Sequence, residues 1–468
     1  MAGKLNRHIL HPLSKRDLLR AIRLGHGRAL IDLRAFGPRG MASDIERLME
    51  SNHEYDPQCS GGVRAWYTHE IARATDPSGK MLRRVLSKLG DQTSYWERRH
   101  LQALAAIEAR RGETWAYRLL LSAMRKWPIG FDAPVHTDLI ELGGVPVLIE
   151  WLIRAGRVDP ERVDGWDLKC AIKAAAKRGG GVQQVRKTLI IAAARNQHVR
   201  KSINSAAYHD QSLRRAFRRV LDIPTPTKPA SAQPQVKEPR TSEESRQFVL
   251  AWLAHGGPSV LRSMAKKHAV RLTPQDSNHL IALLEQQTSK PSFNVLLWRP
   301  VLDVMPIPTR VQPLLRLSRH GEWRIRCHAS RLLGRINKPS VRKHALRLLS
   351  DRPEIVASSG LESLRSSFKP GDETAVLTAC KHMRGERFVH SMGLDLRKLA
   401  ESQPLGDWHD VLLWLYEHTP CGICRDGALE LLIKRAEVTR EILNEALFDG
   451  CADVRTTARK AKASVGKA

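Results

Sequence analysis

The sequence predicts an all-α protein built from stacked helical hairpins in two segments. Three observations support this fold class. Leu, Ala, Arg and Glu dominate the chain, apolar residues recur at steps of three and four, and no series of alternating β-branched residues indicates strands. The breaks between the periodic stretches carry glycine or proline, as at Gly90, Gly112 and Asp159-Pro160, which is typical of helix ends.

The chain has 468 residues, which exceeds the usual size of one hydrophobic core and favours several domains or an extended array. One stretch resembles a linker. Residues 222–244, DIPTPTKPASAQPQVKEPRTSEE, hold five prolines and show no apolar periodicity. The sequence therefore predicts an N-terminal helical segment over 1–221, a flexible Pro-rich linker over 222–246 and a C-terminal helical segment over 247–468.

A pattern of four apolar residues, the last three placed four, seven and eight positions after the first, recurs in the C-terminal segment. The three copies are Ile325, Ala329, Leu332 and Leu333; Val341, Ala345, Leu348 and Leu349; and Cys424, Ala428, Leu431 and Leu432. An arginine follows the first position of each copy, and Val454-Arg455 with Ala458 begins a fourth. These positions share one stripe of a helix, and the small alanine lets a neighbouring helix approach, so the pattern predicts stacked helix pairs.

The stretch 325–334, IRCHASRLLG, resembles the second helix of a HEAT repeat, and the resemblance covers roughly residues 295–468. It implies a HEAT-like α-solenoid with a concave surface, in which Arg326 and Arg342 have structural roles. These two arginines are too close for two full repeats, so we expect one copy on a first helix or in a shortened repeat. HEAT-repeat proteins are mostly scaffolds and binding platforms; a few bind nucleic acid, and one related branch consists of DNA glycosylases.

The charge balance indicates the class of partner. Lys and Arg total 77 against 48 Asp and Glu, a net charge of +29, which favours a polyanion because basic side chains release counterions from phosphates. An anionic membrane surface or an acidic protein could use the same charge. No signal peptide or apolar stretch of spanning length is present, and seven cysteines are scattered, mostly singly, so we expect a soluble cytoplasmic protein with reduced thiols and no membrane partner.

The strongest functional signal is a basic block from Lys169 to Arg219, where thirteen Lys and Arg accompany one acid, Asp210. Basic residues at helical spacing on consecutive helices suit a phosphate backbone, although a solvated basic surface would show the same composition. The residues predicted to contact DNA or RNA, largely independently of sequence, are Lys169, Lys173, Lys177, Arg178, Arg186, Lys187, Arg200, Lys201, Arg214, Arg215, Arg218 and Arg219.

A weaker signal concerns metal binding. His418, Cys421 and Cys424 follow one another at three-residue steps, a spacing that zinc ligands can have, and Cys451 is a possible fourth ligand. Against this, no second CxxC or CxxH pair is present, and Cys424 already fills an apolar position of the repeated pattern. The sequence therefore favours no resident metal and no other cofactor.

Catalytic signatures are absent: the sequence contains no GxxxxGK[ST], no GxGxxG after a strand, no HExxH and no GxSxG. We therefore expect a non-catalytic protein that contacts nucleic acid as part of a larger assembly. One alternative is a protein–protein scaffold, for example in a bacterial defence or DNA-processing complex, that does not touch nucleic acid. A remote alternative is a HEAT-like alkylpurine DNA glycosylase using Trp66-Tyr67 near Asp56 or Glu70.

Overall fold

The computed structural model describes residues 11–53, 64–91, 94–126, 137–208, 210–221, 239, 241–255, 261–288, 295–351 and 354–465. Within these ranges the chain forms 27 α-helices and no β-strand, so the predicted all-α class is confirmed for the described residues. None of these helices combines the length and the apolar character that crossing a bilayer requires.

The described contacts divide the chain into two compact units. The N-terminal unit comprises His8–Ser231 and Asn444–Thr456, and the C-terminal unit is formed by Ala232–Leu443 with Thr457–Ala468. The boundary at residue 231 falls inside the predicted linker, of which residues 222–238 and 240 lie outside the described part of the chain.

The last residues of the predicted linker are helical, because the helix after it begins at Ser242. A reciprocal cap fixes this start: the Glu244 amide donates to the Thr241 hydroxyl at 3.1 Å, and the Thr241 amide donates to the Glu244 carboxylate at 3.1 Å. The capping sequence Thr-Ser-Glu-Glu thus begins the helix at Ser242, and the last five residues of the predicted linker are helical.

The N-terminal unit contains thirteen of the described helices. They are α1 Lys15–Leu24, α2 Gly27–Phe36, α3 Ala42–Met49, α4 Ala65–Thr75, α5 Lys80–Ser87, α6 Tyr95–Arg110, α7 Thr114–Lys126, α8 Thr137–Gly143, α9 Val145–Val158, α10 Gly165–Ala176, α11 Gly181–Arg195, α12 Gln197–Tyr208 and α13 Gln211–Phe217, with 3₁₀ turns at Lys88–Asp91 and Pro160–Arg162. Helices α2, α4, α6, α8, α10 and α12 form a row in which each packs on the next, and each also packs on a chain neighbour.

The remaining helices follow in the second half of the chain. They are α14 Ser242–His255, α15 Leu261–Ala269, α16 Pro274–Gln287, α17 Val295–Leu302, α18 Gln312–Leu317, α19 Trp323–Leu333, α20 Pro339–Ser350, α21 Glu354–Leu364, α22 Glu373–His382, α23 Glu386–Ser402, α24 His409–His418, α25 Gly422–Lys434, α26 Arg440–Ala446 and α27 Ala452–Val465. Helices α17, α19, α21, α23 and α25 form one row, and α20, α22 and α24 form a second.

The repeated apolar pattern marks the buried stripes of α19, α20, α25 and α27. Every apolar residue of its four copies is at most 7% exposed. Since α19 packs on α21 and α20 packs on α22, the first two copies lie in different rows. Full burial of each such aliphatic side chain contributes about 1.5–3 kcal/mol, so these stripes hold the rows together.

Two arginines of the pattern make structural contacts. Arg326 is 5% exposed and donates from Nη1 to the carbonyl oxygens of His320 at 2.5 Å and Gly321 at 2.7 Å. Arg342 donates from Nε to the Asp372 carboxylate at 2.9 Å. Both side chains are therefore engaged within the C-terminal unit.

The glycine that ends the first copy permits a close helix contact. A Cβ added to Gly334 would lie 2.1 Å from the carbonyl oxygen of Glu362 on α21. The Ser366 hydroxyl also donates to the Gly334 carbonyl oxygen. A residue with a side chain at this position would push α21 away from the end of α19.

A segment near the C-terminus completes the N-terminal unit. The Glu445 carboxylate accepts a hydrogen bond from Arg28 Nε at 2.9 Å and lies 3.3 Å from Nδ1 of His26, and it is 2% exposed. The Gly450 amide donates to the Gly25 carbonyl oxygen at 2.7 Å. A Cβ added to Gly27 would lie 1.9 Å from the Glu445 carbonyl oxygen, so the segment and the start of α2 are in direct backbone contact.

Candidate nucleic-acid interface

The predicted basic residues lie on and between four consecutive helices of the N-terminal unit, α10 to α13. Helix α10 begins where the Asp164 side chain accepts the Asp167 amide at 2.6 Å. Trp166 is 74% exposed, and it is followed three, seven and eleven residues later by Lys169, Lys173 and Lys177. These spacings place the four side chains along one side of α10.

The first turn of α10 lies against the turn between α12 and α13. Lys169 Nζ is 2.5 Å from the Asp210 carboxylate, which also accepts the Ser212 and Leu213 amides as the N-cap of α13. The ion pair with Lys169 holds the pKa of Asp210 well below its usual range. A Cβ added to Gly165 would lie 2.9 Å from Asp210 Cβ, so the backbone beside Trp166 is close to this turn.

A second exposed aromatic side chain belongs to the same turn. Tyr208 is 56% exposed, and the Arg214 guanidinium lies 5.9 Å from the centre of its ring. Arg214 Nε also donates to the Ala207 carbonyl oxygen at 2.9 Å. We refer to Trp166, Lys169, Tyr208 and Arg214 as the Trp166 cluster.

The other end of α10 is engaged with α8. Lys177 Nζ lies 3.1 Å from the Glu141 carboxylate, and Arg178 donates to the Leu142 carbonyl oxygen. Two of the three lysines on the predicted face of α10, Lys169 and Lys177, are therefore ion-paired. The third, Lys173, is exposed and has no ion pair to any described residue.

The rest of the block separates into exposed and half-buried cations. Arg186 and Arg200 are half-buried. Arg178 is exposed but donates to a carbonyl, whereas seven other cations of the block are exposed and form neither an ion pair nor a hydrogen bond that the described residues show: Lys173, Lys187, Arg195, Lys201, Arg215, Arg218 and Arg219. The basic block therefore contains few acidic residues in its sequence, and few acidic side chains from elsewhere in the described structure contact its cations.

The residues considered for base excision have other contacts. Tyr67 is 1% exposed and its hydroxyl donates to the His26 carbonyl oxygen at 2.9 Å. The Arg455 guanidinium lies 4.2 Å from the centre of the Trp66 ring, and Glu70 accepts from Arg34 at 2.5 Å. Asp56 lies outside the described residues. Tyr67 is thus a core residue, and Trp66 is covered by a cation of its own chain.

The predicted zinc ligands are placed differently from one another. Cys421 and Cys424 converge with His390, and one ligand atom from each lies within 4.8 Å of the others. His418 is not part of this group: its Nδ1 lies 2.9 Å from the Trp414 carbonyl oxygen and its ring stacks on the Trp414 ring. Cys451 is also outside the group.

The two thiols of this group are hydrogen-bonded to each other. A hydrogen bond with Cys424 lowers the pKa of Cys421 to about 4, and the same contact raises the pKa of Cys424. Cys421 is 3% and Cys424 2% exposed. The group therefore offers two sulfurs and an imidazole, with both sulfurs buried.

A cavity of about 420 Å³ in the C-terminal unit has acidic and aromatic lining residues, among them Trp323, Glu362 and Asp395. The Ser358 hydroxyl donates to Asp395 at 2.6 Å. Burial raises the pKa of Asp395 to about 6, so this carboxyl group is partly protonated just below neutral pH.

The sequence analysis did not predict three residues of these two groups: Trp166, Tyr208 and His390. Trp166 could have been predicted to lie beside the lysines of α10, because it precedes them at helical spacing. Tyr208 and His390 join their groups only through tertiary packing of α12 on α10 and of α23 on α25. A comparison with known protein families gave no match, and neither did a comparison with curated proteins.

Proposed function

We propose that this chain is a non-catalytic helical-repeat protein that binds nucleic acid, with little dependence on base sequence, through the cations of α10 to α13. The observation that carries the proposal is the set of seven exposed cations without ion pairs in the block around the Trp166 cluster. Such cations keep their full charge for a partner, whereas an ion-paired lysine has to break a contact before it can bind a phosphate.

The fold that we propose for this binding surface is a HEAT-like α-solenoid within each unit. In both units a helix packs on a chain neighbour and on the helix two positions further along. Rows of this kind arise when helix pairs stack, because one pair cannot bury its own apolar face. In such an array α10 to α13 present successive helices along one edge, which matches the extended form of a nucleic-acid backbone.

The Trp166 cluster favours unpaired bases over duplex. Trp166 and Tyr208 expose more than half of their surfaces, although large aromatic side chains are usually well buried in a folded chain. Bases that are not held in a duplex can stack on such rings, at about 1–3 kcal/mol per base, while neighbouring cations hold the phosphates. We therefore expect single-stranded DNA or RNA to bind more tightly than duplex DNA.

The test is a fluorescence-anisotropy titration of the full chain with single-stranded DNA, RNA and duplex DNA over a salt series. The block variant carries Lys201→Glu, Arg215→Glu, Arg218→Glu and Arg219→Glu. Its matched control reverses four exposed lysines of the C-terminal unit that also have no ion pair in the described structure: Lys266→Glu, Lys343→Glu, Lys381→Glu and Lys434→Glu.

Both variants change the net charge equally, so they separate a local site from the charge of the whole chain. We expect the block variant to lose at least ten-fold in affinity and to show a flatter dependence of log K on log salt, and the control to keep most of its affinity. Equal losses in the two variants would remove the block as the binding site. Weak binding of all three nucleic acids at physiological salt would overturn the proposal, and nuclease-resistant capture of a protein would then favour a scaffold.

A further inference from the structure

The thiol–imidazole group of the C-terminal unit has the geometry of a metal site. The distance from Cys424 Sγ to His390 Nδ1 is 3.6 Å, and the ligand atoms of His390, Cys421 and Cys424 all lie within 4.8 Å of one another. Zinc binds sulfur near 2.3 Å and nitrogen near 2.0–2.1 Å, so a tetrahedral site separates sulfur from nitrogen by about 3.6 Å and two sulfurs by about 3.8 Å. The Cys424–His390 pair is already at this separation, and the other two pairs lie within 4.8 Å.

Two local features bring the sulfurs together. Cys421 is the N-cap of α25 and Cys424 is its third helical residue, which places both side chains at the same end of the helix. The Cys421 amide donates to the Thr419 hydroxyl at 3.3 Å, which fixes the turn before α25. A CxxC pair at such a turn is a common half of a zinc site.

The third ligand comes from α23, which packs on α25. A glycine makes the approach close: a Cβ added to Gly393 would lie 3.4 Å from Cys424 Sγ and 2.8 Å from a methyl group of Leu415. His390 lies almost one turn before Gly393, on the part of α23 that faces the two cysteines. The close packing of α23 thus positions the imidazole.

Core packing explains only part of this arrangement. Cys424 occupies the position that Ile325 and Val341 fill in the other copies of the repeated pattern, so its burial alone requires no metal. The pattern does not explain why a second thiol and an imidazole converge on the same point. Two sulfurs and one nitrogen are the donors that Zn²⁺ prefers, and they are poor ligands for Mg²⁺ or Ca²⁺.

We propose that His390, Cys421 and Cys424 bind one zinc ion, with a water or another small ligand at the fourth position. The ion would join α23 to α25 and stabilise the C-terminal unit. This inference is independent of nucleic-acid binding, because it concerns residues that the proposed interface does not include.

The test uses the full chain, reduced and freed of metal with a chelator, and titrated with Co²⁺. We expect one equivalent to bind and to give the sulfur-to-cobalt charge-transfer band together with the intense visible bands of tetrahedral Co²⁺. Added Zn²⁺ should abolish both and should raise the unfolding temperature of the unaltered chain. A spectrum without the charge-transfer band, or no shift in unfolding temperature with Zn²⁺, would overturn the site.

Variants assign the ligands. Cys421→Ser, Cys424→Ser and His390→Ala should each weaken Co²⁺ binding at least ten-fold and abolish the Zn²⁺-dependent rise in unfolding temperature. Cys170→Ser and His418→Ala are the matched controls, because neither residue belongs to the group, and both should keep the spectrum of the unaltered chain. The metal-free circular dichroism of each variant identifies those that fail to fold. Retention of the charge-transfer band by the Cys421→Ser, Cys424→Ser double variant would contradict the assignment.

Discussion

The guanidinium of Arg425 donates from Nη1 to the carbonyl oxygen of Thr419, 3.1 Å away and six residues earlier in the chain. The same bond occurs twice more in the repeated pattern, from Arg326 to His320 and from Arg455 to Asp449. In each case the acceptor lies in the turn that precedes the helix carrying the arginine. In three of the four copies the arginine therefore closes the turn before its own helix, whereas Arg342 pairs with Asp372. Both are structural roles for a residue that the charge balance alone would assign to a partner.

Removing this arginine should lower stability without affecting binding. We expect Arg425→Ala and Arg326→Ala each to reduce the free energy of unfolding by about 1–3 kcal/mol, because buried turn carbonyls lose their donor. The measurement is chemical denaturation followed by circular dichroism. Arg324→Ala, on the exposed side of α19, is the control and should change stability by less than about 0.5 kcal/mol. Equal effects of Arg324→Ala and Arg326→Ala would contradict the role of the turn bond.

The close contact at Gly334 gives a second prediction. Gly334→Ala should destabilise the chain by about 1–3 kcal/mol, since the added methyl group meets the Glu362 carbonyl and α21 has to move. Gly321→Ala is the matched control, because no atom lies within 4 Å of the position of its added Cβ. Thermal unfolding of the two variants should therefore differ clearly, and a stable Gly334→Ala variant would show that α19 and α21 are less closely packed than described.

The buried carboxyl of Asp395 predicts a pH-dependent stability. Its pKa is raised from 3.8 to about 6, so between these values the folded chain keeps a proton that the unfolded chain has lost. Stability due to this group therefore falls as pH rises through that window, and the full cost is present above about pH 6. Asp395→Asn should equal the unaltered chain below about pH 4 and exceed it by about 1–3 kcal/mol at neutral pH.

The measurement for Asp395 is a series of denaturation curves between pH 4 and 8. The control is Glu430→Gln, since Glu430 is exposed and has no ion pair to a described residue. Glu430→Gln removes one carboxylate from the surface and so gives the baseline for removing a charge of this kind. An Asp395→Asn variant whose advantage does not change across the series would show that burial does not raise this pKa.

The Trp166 side chain should contribute more to the binding of single-stranded DNA than to the binding of duplex DNA. We expect Trp166→Ala to weaken binding of single-stranded DNA about ten-fold and of duplex DNA less than about two-fold, with an unchanged salt slope, because stacking and phosphate contacts are separate contributions. Trp166→Phe should restore most of the affinity. Trp323→Ala removes another exposed tryptophan side chain, which belongs to the C-terminal unit, and serves as the control. Equal losses for both nucleic acids would exclude base stacking at this residue.

Local pattern and tertiary packing account for different parts of this structure. The stripe beginning at Ile325 could be predicted because its four positions follow the helical period, and all four side chains are buried. The ion pair between Lys177 and Glu141 could not, since it depends on how α10 packs against α8. A face of lysines in the sequence therefore overstates the charge that is open to a partner.

The same distinction applies to the thiol–imidazole group. CxxC spacing singled out Cys421 and Cys424, because that pattern is local. His418 is close in sequence but stacks on Trp414, whereas His390 arrives from another helix. Which distant residue joins the two cysteines depends on which helix packs against α25. The local spacing of residues in the sequence does not show which helices pack together.

The contact of residues 444–456 with α2 affects how the chain folds while it is being synthesised. Glu445, which pairs with Arg28, leaves the ribosome 417 residues after it. The N-terminal unit thus stays incomplete while the residues between them are made, and its Gly27 surface remains open for that time. Nascent chains of this protein should bind chaperones longer than a contiguous domain of equal size would, and a stop codon before residue 444 would leave that surface permanently uncovered.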